Sequence, residues 1–296
     1  MTSMEETPAI SPAPIATGIK TNELPGASFR PALIVVDMQN DFCPPVRYLP
    51  SLSDKQSAMY TDPISPQSGS LAVSEARDII PLINSLISSK GFVLKIATQD
   101  WHPPNHISFA SNHPPPNNKP FVSEIDLENP MFGKISIDIP NNEKKTFKTK
   151  KQRLWPVHCV QGTPGAEFVE GLDAQQCDYV VKKGMNSGVE MYSVFADAFG
   201  NMDCVKTGGV THDVIALLQE AEVTDVFVVG VAGDYCVKCT ALDSASAGFR
   251  TWVIEEATRL VDPSMWEEVK MELSHGGVSM INLSSEKLNE IRKMRA

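Results

Sequence analysis

Short aliphatic runs punctuate the chain at residues 32–37, 92–98, 179–182, 226–231, 251–254 and 278–282. They are close to uniformly apolar rather than alternating, and turn or capping residues bound each one. That is the pattern of strands covered on both faces, as in a parallel sheet. Between the runs the hydrophobic period lengthens to that of helices, over residues 71–89, 211–221, 234–247 and 263–274. In the first of these, Ala76, Ile79, Ile80, Ile83, Leu86 and Ile87 form one apolar stripe. Gly91 and Gly248 stand just beyond two of the helices, where C-terminal caps belong. Strands alternating with helices predict a single α/β domain, a parallel six-stranded sheet with helices on both faces.

Three stretches break the rhythm. Residues 1–28 lack the basic and apolar regions of a signal peptide and read as a disordered leader, leaving a domain over 29–296. Residues 47–70 are rich in Ser and Pro, and residues 129–151 mix Pro and Asn with the basic run KKTFKTKK. Both are too long for ordinary connections and read as insertions or lids, the basic run as a solvated surface loop. Composition narrows the partners. A hydrophobic fraction of 42% fits a folded globular chain, and a net charge of −10 excludes a nucleic-acid surface. No apolar stretch approaches the length of a bilayer-crossing helix. Cysteines at 43, 159, 177, 204, 236 and 239, without a secretion signal, read as reduced thiols in the cytosol or nucleus. Self-association into a homo-oligomer is left open.

Ligands of open α/β sheets collect beyond the carboxyl ends of the strands. The first strand delivers Asp37 there, within IVVDMQNDFC, and the second delivers TQDWHPPNH. The third ends at Lys182 and Lys183, and the fourth runs VFVVGVAGDYCVK into a helix that carries Cys236. A thiol in the first turn of a helix is favoured as thiolate by the free N–H groups, which suits a nucleophile. A buried structural cysteine is the plain alternative, and Cys236-Val-Lys-Cys239 is also formally a redox CxxC. Asp37 reads either as a turn residue or as a general base, Lys183 as a solvated charge or as its positive partner. Asp100 and His102 fall on one side of an extended segment. A facial metal site needs a third ligand, for which His106, His113 and His158 are candidates.

The stretches ALIVVDMQNDFC, ATQDWHPPNHISFA, LWPVHCVQGTPGAEF, VVKKGMNSGVEMYSVF and VFVVGVAGDYCVKCTALDSASAGFRTWVIEEATR together resemble the isochorismatase-like cysteine hydrolases. The paired DWHPxxH and WPxHCVxGTxG motifs resemble, within them, the nicotinamidases (pyrazinamidases), most of all those of fungi. The resemblance spans roughly residues 31 to 259, interrupted by the two insertions. It implies hydrolysis of nicotinamide to nicotinate and ammonia through a cysteine thioester, a step of NAD salvage. Carried over by position, it implies a catalytic triad of Asp37, Lys183 and Cys236. It implies metal ligands Asp100, His102 and His158, which places His106 beside the ligand set rather than in it. The implied ion is divalent, Zn²⁺ first, with Fe²⁺ or Mn²⁺ fitting the same donors. The backbone N–H groups of Ala232 and Cys236 are implied as the oxyanion hole, with a cis peptide before Ala232. Phe42, Trp101 and Tyr192 are expected to clamp an aromatic ring. The loop GMNSGVEMYSVF departs from relatives that carry an Asp before the aromatic pair, which leaves the pocket rim open. Other readings are an amidase of the same superfamily acting on a carbamoyl or ureido compound, and a non-catalytic binding or scaffold member.

Overall fold

The computed structural model describes residues 28–45, 69–129 and 149–294. The expected leader and most of both expected insertions lie outside the described residues. Each aliphatic run forms a strand: β1 (Pro31–Val36), β2 (Leu94–Asp100), β5 (Tyr179–Lys183), β6 (Asp225–Val231), β7 (Arg250–Arg259) and β8 (Ser279–Ile281). All pair in parallel, in the order β5-β2-β1-β6-β7-β8. The chain therefore builds outward from β1 in both directions, and the order reverses between β1 and β6. That boundary is where an open sheet leaves a crevice at its carboxyl edge.

β1 is buried along its whole length, and its pleat divides the core. Leu33 and Val35 join Ile83, Ile87, Leu288 and Ile291 on one face, from α1 (Ile80–Ile87) and α5 (Glu286–Lys293). Ala32, Ile34 and Val36 join Leu218, Val237 and Leu273 on the other, from α2 (Val214–Glu220), α3 (Cys236–Ser246) and α4 (Trp266–His275). Helices thus cover both faces, as the apolar runs predict. No helix among the described residues is long and apolar enough to cross a membrane.

Four local expectations change. Pro81 stands in the first turn of α1, and the turn before it, Ala76–Ile79, is 3-10 rather than α, shortening the helix expected over 71–89. Gly248 caps α3 in the left-handed region, at φ 99°. Gly91 is no such cap. A Cβ there would meet the Ile291 carbonyl oxygen at 2.1 Å, so it lets α5 close on the sheet. Finally, β3 (Glu124–Glu128) and β4 (Thr149–Arg153) form an antiparallel pair at the two ends of the second irregular stretch. The last residues of the basic run are exposed, as expected, but they belong to a strand rather than a loop.

Candidate active site

Asp37 follows β1 and Cys236 opens α3 after β6, so the two flank the crevice where strand order reverses. Lys183 ends β5 in register with Asp100 at the end of β2. Its ammonium is fully buried. Nζ lies 2.9 Å from Asp37 Oδ2, 2.5 Å from Asp100 Oδ1 and 3.5 Å from Cys236 Sγ, and donates to the Met191 carbonyl at 3.3 Å. The Asp37 carboxylate lies within 4.8 Å of Cys236 Sγ. Thr98 holds the other Asp37 oxygen, donating to Oδ1 at 2.6 Å, while Oδ2 has no hydrogen-bond partner beyond its ion pair with Lys183. The sequence-predicted triad is therefore assembled, with one carboxylate oxygen left to receive a proton.

The electrostatics revise one expectation. Burial pushes the Cys236 thiol well above its ordinary value; Lys183 pulls it back, and Asp37 and Asp100 push it up further. Burial outweighs the helix terminus, so the resting thiol keeps its proton and needs a base. Burial also raises the Asp37 carboxyl, against the pull of Lys183, which makes it a stronger acceptor. Ala232 and Cys236 both line the narrow pocket, and neither backbone N–H bonds to another described residue. The pocket therefore has two backbone donors without a partner among the described residues. Ala232 sits in the left-handed region at φ 59°, whereas the peptide before it is trans, not cis as the resemblance implied.

The expected metal ligands also meet. One ligand atom each from Asp100, His102 and His158 lies within 4.8 Å of the others, all three residues buried. Both imidazoles are oriented from behind: His102 Nδ1 bonds the Gly184 carbonyl at 2.8 Å, and His158 Nδ1 bonds the Pro156 carbonyl at 2.7 Å. A carbonyl accepts, so each Nδ1 carries a proton and each Nε2 is the nitrogen left to bind a metal. Against burial, the charge of Asp100 raises the His102 pKa, so a cation there would displace a proton from that ring. His102 Nε2 is buried without a hydrogen-bond partner, 3.6 Å from Asp100 Oδ2. An orphaned buried nitrogen facing a carboxylate oxygen fits a divalent cation. Burial, then the charge of His102, lowers the His158 pKa, keeping it neutral for such a role. Gly184 is required here, because at its φ of 66° a Cβ would strike the His102 ring at 2.4 Å. His106 lies beside the set, its ring stacked on His102 at 4.0 Å and its Nδ1 bonded to Ser108.

The aromatic wall departs from expectation in one member. Phe42 and Tyr192 line the pocket with Asp100, His158 and Cys236, but Trp101 is not among the lining residues. Successive side chains of an extended segment point to opposite sides, so presenting Asp100 and His102 inward turns Trp101 outward. There the Lys182 ammonium sits 3.4 Å above its ring. Trp155 and Tyr235 line the pocket instead, packed edge to face at 4.9 Å. Glu190, buried in the loop after Lys183, is a further lining residue that sequence reasoning passed over. It lies between two hydrophobics in VEM, where only its burial distinguishes it from a surface acid.

Comparison with known proteins follows the same residues. Residues 31–285 match the Isochorismatase domain family. The nicotinamidase of Schizosaccharomyces pombe is 32% identical over 268 residues, covering 90% of this chain and 100% of the other. Among solved structures, the yeast nicotinamidase bound to the inhibitor nicotinaldehyde aligns with a TM-score of 0.64 and 29% identity, over 85% of this chain and 99% of that one. The pyrazinamidase of Pyrococcus horikoshii in complex with zinc aligns with a TM-score of 0.55 and 30% identity, over 86% and 99%.

Proposed function

The chain belongs to the isochorismatase family, and we propose that it is a nicotinamidase that hydrolyses nicotinamide to nicotinate and ammonia. The observation that carries the reading is the double use of Asp100. One oxygen meets Lys183 of the triad, the other faces His102 and the prospective metal position. A cysteine nucleophile and a reader of a ring nitrogen thus share one narrow pocket, walled by Phe42, Trp155, Tyr192 and Tyr235.

Asp37 takes the thiol proton of Cys236 through its free oxygen, and Lys183 offsets the charge that forms on sulfur. The thiolate attacks the carboxamide carbon, and the N–H groups of Ala232 and Cys236 hold the oxyanion. Each such donor contributes about 3 kcal/mol in comparable sites. Asp37 then returns the proton to the departing nitrogen, which leaves as ammonia from a thioester on Cys236. Water, deprotonated by Asp37, attacks the thioester carbon. Nicotinate leaves and the thiol is regenerated. Asp100, His102 and His158 would hold a divalent cation, Zn²⁺ by the donor set, with Fe²⁺ or Mn²⁺ accepted by the same ligands. When bound, that ion supplies an open position for the pyridine nitrogen and so fixes the ring relative to Cys236.

Purified protein given nicotinamide is expected to release ammonia and nicotinate in equal amounts, and Cys236→Ala to release neither. Ammonia from a carbamoyl or ureido compound, with nicotinamide left intact, would move the assignment to another amidase of the family.

A further inference from the structure

β4 is exposed at four of its five positions, and its single buried residue is a polar amide, Gln152. Buried amides are kept for their hydrogen bonds. Gln152 Nε2 donates to the Tyr192 hydroxyl at 2.9 Å and to its neighbour's carbonyl, Arg153 O, at 2.6 Å. That carbonyl fixes which way the amide points, since an amide oxygen there would set two acceptors against each other. Trp155 Nε1, which can only donate, reaches the same Tyr192 oxygen at 2.9 Å. A phenol oxygen has two acceptor sites, and these two donors fill both. Its own hydrogen must point elsewhere, and no hydrogen bond carries it to another described residue. Burial, with the charge of Glu190 next, holds the Tyr192 pKa well above its ordinary value, so the hydrogen stays in place at neutral pH.

We infer that Gln152 is a positioning residue which, with Trp155, turns the Tyr192 hydroxyl into a hydrogen-bond donor aimed at the bound heteroaromatic amide. The inference rests on the proposed activity and adds a specificity contact to it. It also makes the β3–β4 hairpin a part of the pocket, since Arg153 donates to the hydroxyl of Tyr235 in the same wall at 3.1 Å.

The test is a double-mutant cycle on wild type, Gln152→Met, Tyr192→Phe and the double variant. Methionine keeps the length of glutamine while removing the donor. Each single variant is expected to raise KM for nicotinamide about five- to tenfold, the worth of one hydrogen bond, with kcat within about twofold. The double variant is expected to match Tyr192→Phe alone. Alkylation of Cys236 by iodoacetamide should proceed at the wild-type rate in all four. Nicotinate affinity, measured by calorimetry on the same proteins, should follow the KM ratios, so the inference is read even if nicotinamide is not turned over. A Gln152→Met enzyme with wild-type KM and nicotinate affinity would overturn the inference. So would a double variant whose losses multiply, or a Gln152→Met site in which Cys236 no longer alkylates normally. Absence of turnover in wild type would sink the nicotinamidase reading instead.

Discussion

Lys183→Met removes the one cation from a buried cluster of two carboxylates and a thiol. The ammonium is 0% exposed and meets Asp37 and Asp100 at 2.9 and 2.5 Å, so no solvent screening discounts its contribution. Breaking a buried pair from one side costs about 3–5 kcal/mol, because the remaining charge is left uncompensated. Here two acids are left. Asp100 owes its lowered pKa to Lys183 and His102 acting against burial, and Asp37 is already raised by burial. Without Lys183, Asp100 loses the largest of the influences that lower it and Asp37, already raised, rises further, so Asp37 binds a proton in the folded variant at a higher pH than in the unfolded chain. A carboxyl whose folded pKa exceeds its unfolded value destabilises in full above the folded pKa; the penalty shrinks as pH falls through that pKa and is gone below the unfolded one. The penalty of Lys183→Met should therefore be full at about pH 8 and shrink toward about pH 5 as the cluster takes up protons. Denaturant unfolding of chelator-treated wild type and variant, followed by tryptophan fluorescence, measures both quantities. Turnover of nicotinamide should fall at least about 10²-fold, because the charge that steadies the Cys236 thiolate is gone. A variant within about 1 kcal/mol of wild type at both pH values would refute the argument, as would a large penalty independent of pH.

The other expectations are narrower. Cys236→Ala should abolish turnover in a folded protein, whereas Cys239→Ala, one turn further along α3 with a thiol that burial pushes up to about 11, should keep most of it. Equal damage from both would revive the CxxC redox reading, which neither protonated thiol favours. His158→Ala should lower metal content by elemental analysis and raise KM for nicotinamide, while Cys236 still alkylates at close to its normal rate. Pyrazinamide should be hydrolysed like nicotinamide, and benzamide, lacking the ring nitrogen, should lose roughly two orders of magnitude or more in kcat/KM. Comparable benzamide turnover would show that the metal does not read the ring. Lys151→Ala breaks an ion pair with Asp126 that is exposed on both sides, so stability should move by no more than about 0.5 kcal/mol and turnover not at all.

Residues placed by strand position were legible as candidates, with their roles implied only by the family resemblance; those distinguished by burial alone were not. Asp37 follows β1, Lys183 ends β5 and Cys236 opens the helix after β6, and the pattern that marks these strands also marks their ends. Asp100, His102 and His158 lie in motifs dense in Trp, Pro and His, and the structure brings one ligand atom of each within 4.8 Å of the others. Glu190 has no such signal. Neither has the β3–β4 hairpin, because four of the five residues in TKKQR face solvent and cross-strand ion pairs such as Lys151–Asp126 replace apolar alternation. α5 presents only Leu288 and Ile291 as an apolar stripe, too short for a period to be read. Trp101 is the instructive error. It adjoins the ligands in sequence, but the alternation that aims Asp100 and His102 inward aims it outward, and Trp155 fills its place.

The same alternation predicts that a bound metal would be coupled to the nucleophile rather than merely adjacent to it. Asp100 and Lys183 are register partners on neighbouring parallel strands, so their side chains emerge on one side and meet. With Oδ1 committed to Lys183, only Oδ2 is free to turn toward His102. A cation placed there would draw electron density from the carboxylate and weaken its hold on Lys183. The ammonium would then be freer to favour Asp37 and the sulfur of Cys236. Loading the site should therefore lower the pH at which Cys236 becomes reactive. Alkylation of Cys236 across a pH series, with Zn²⁺ present or removed by chelator, reads that midpoint without turnover. A midpoint unmoved by the ion would mean that Asp100 serves the two halves separately.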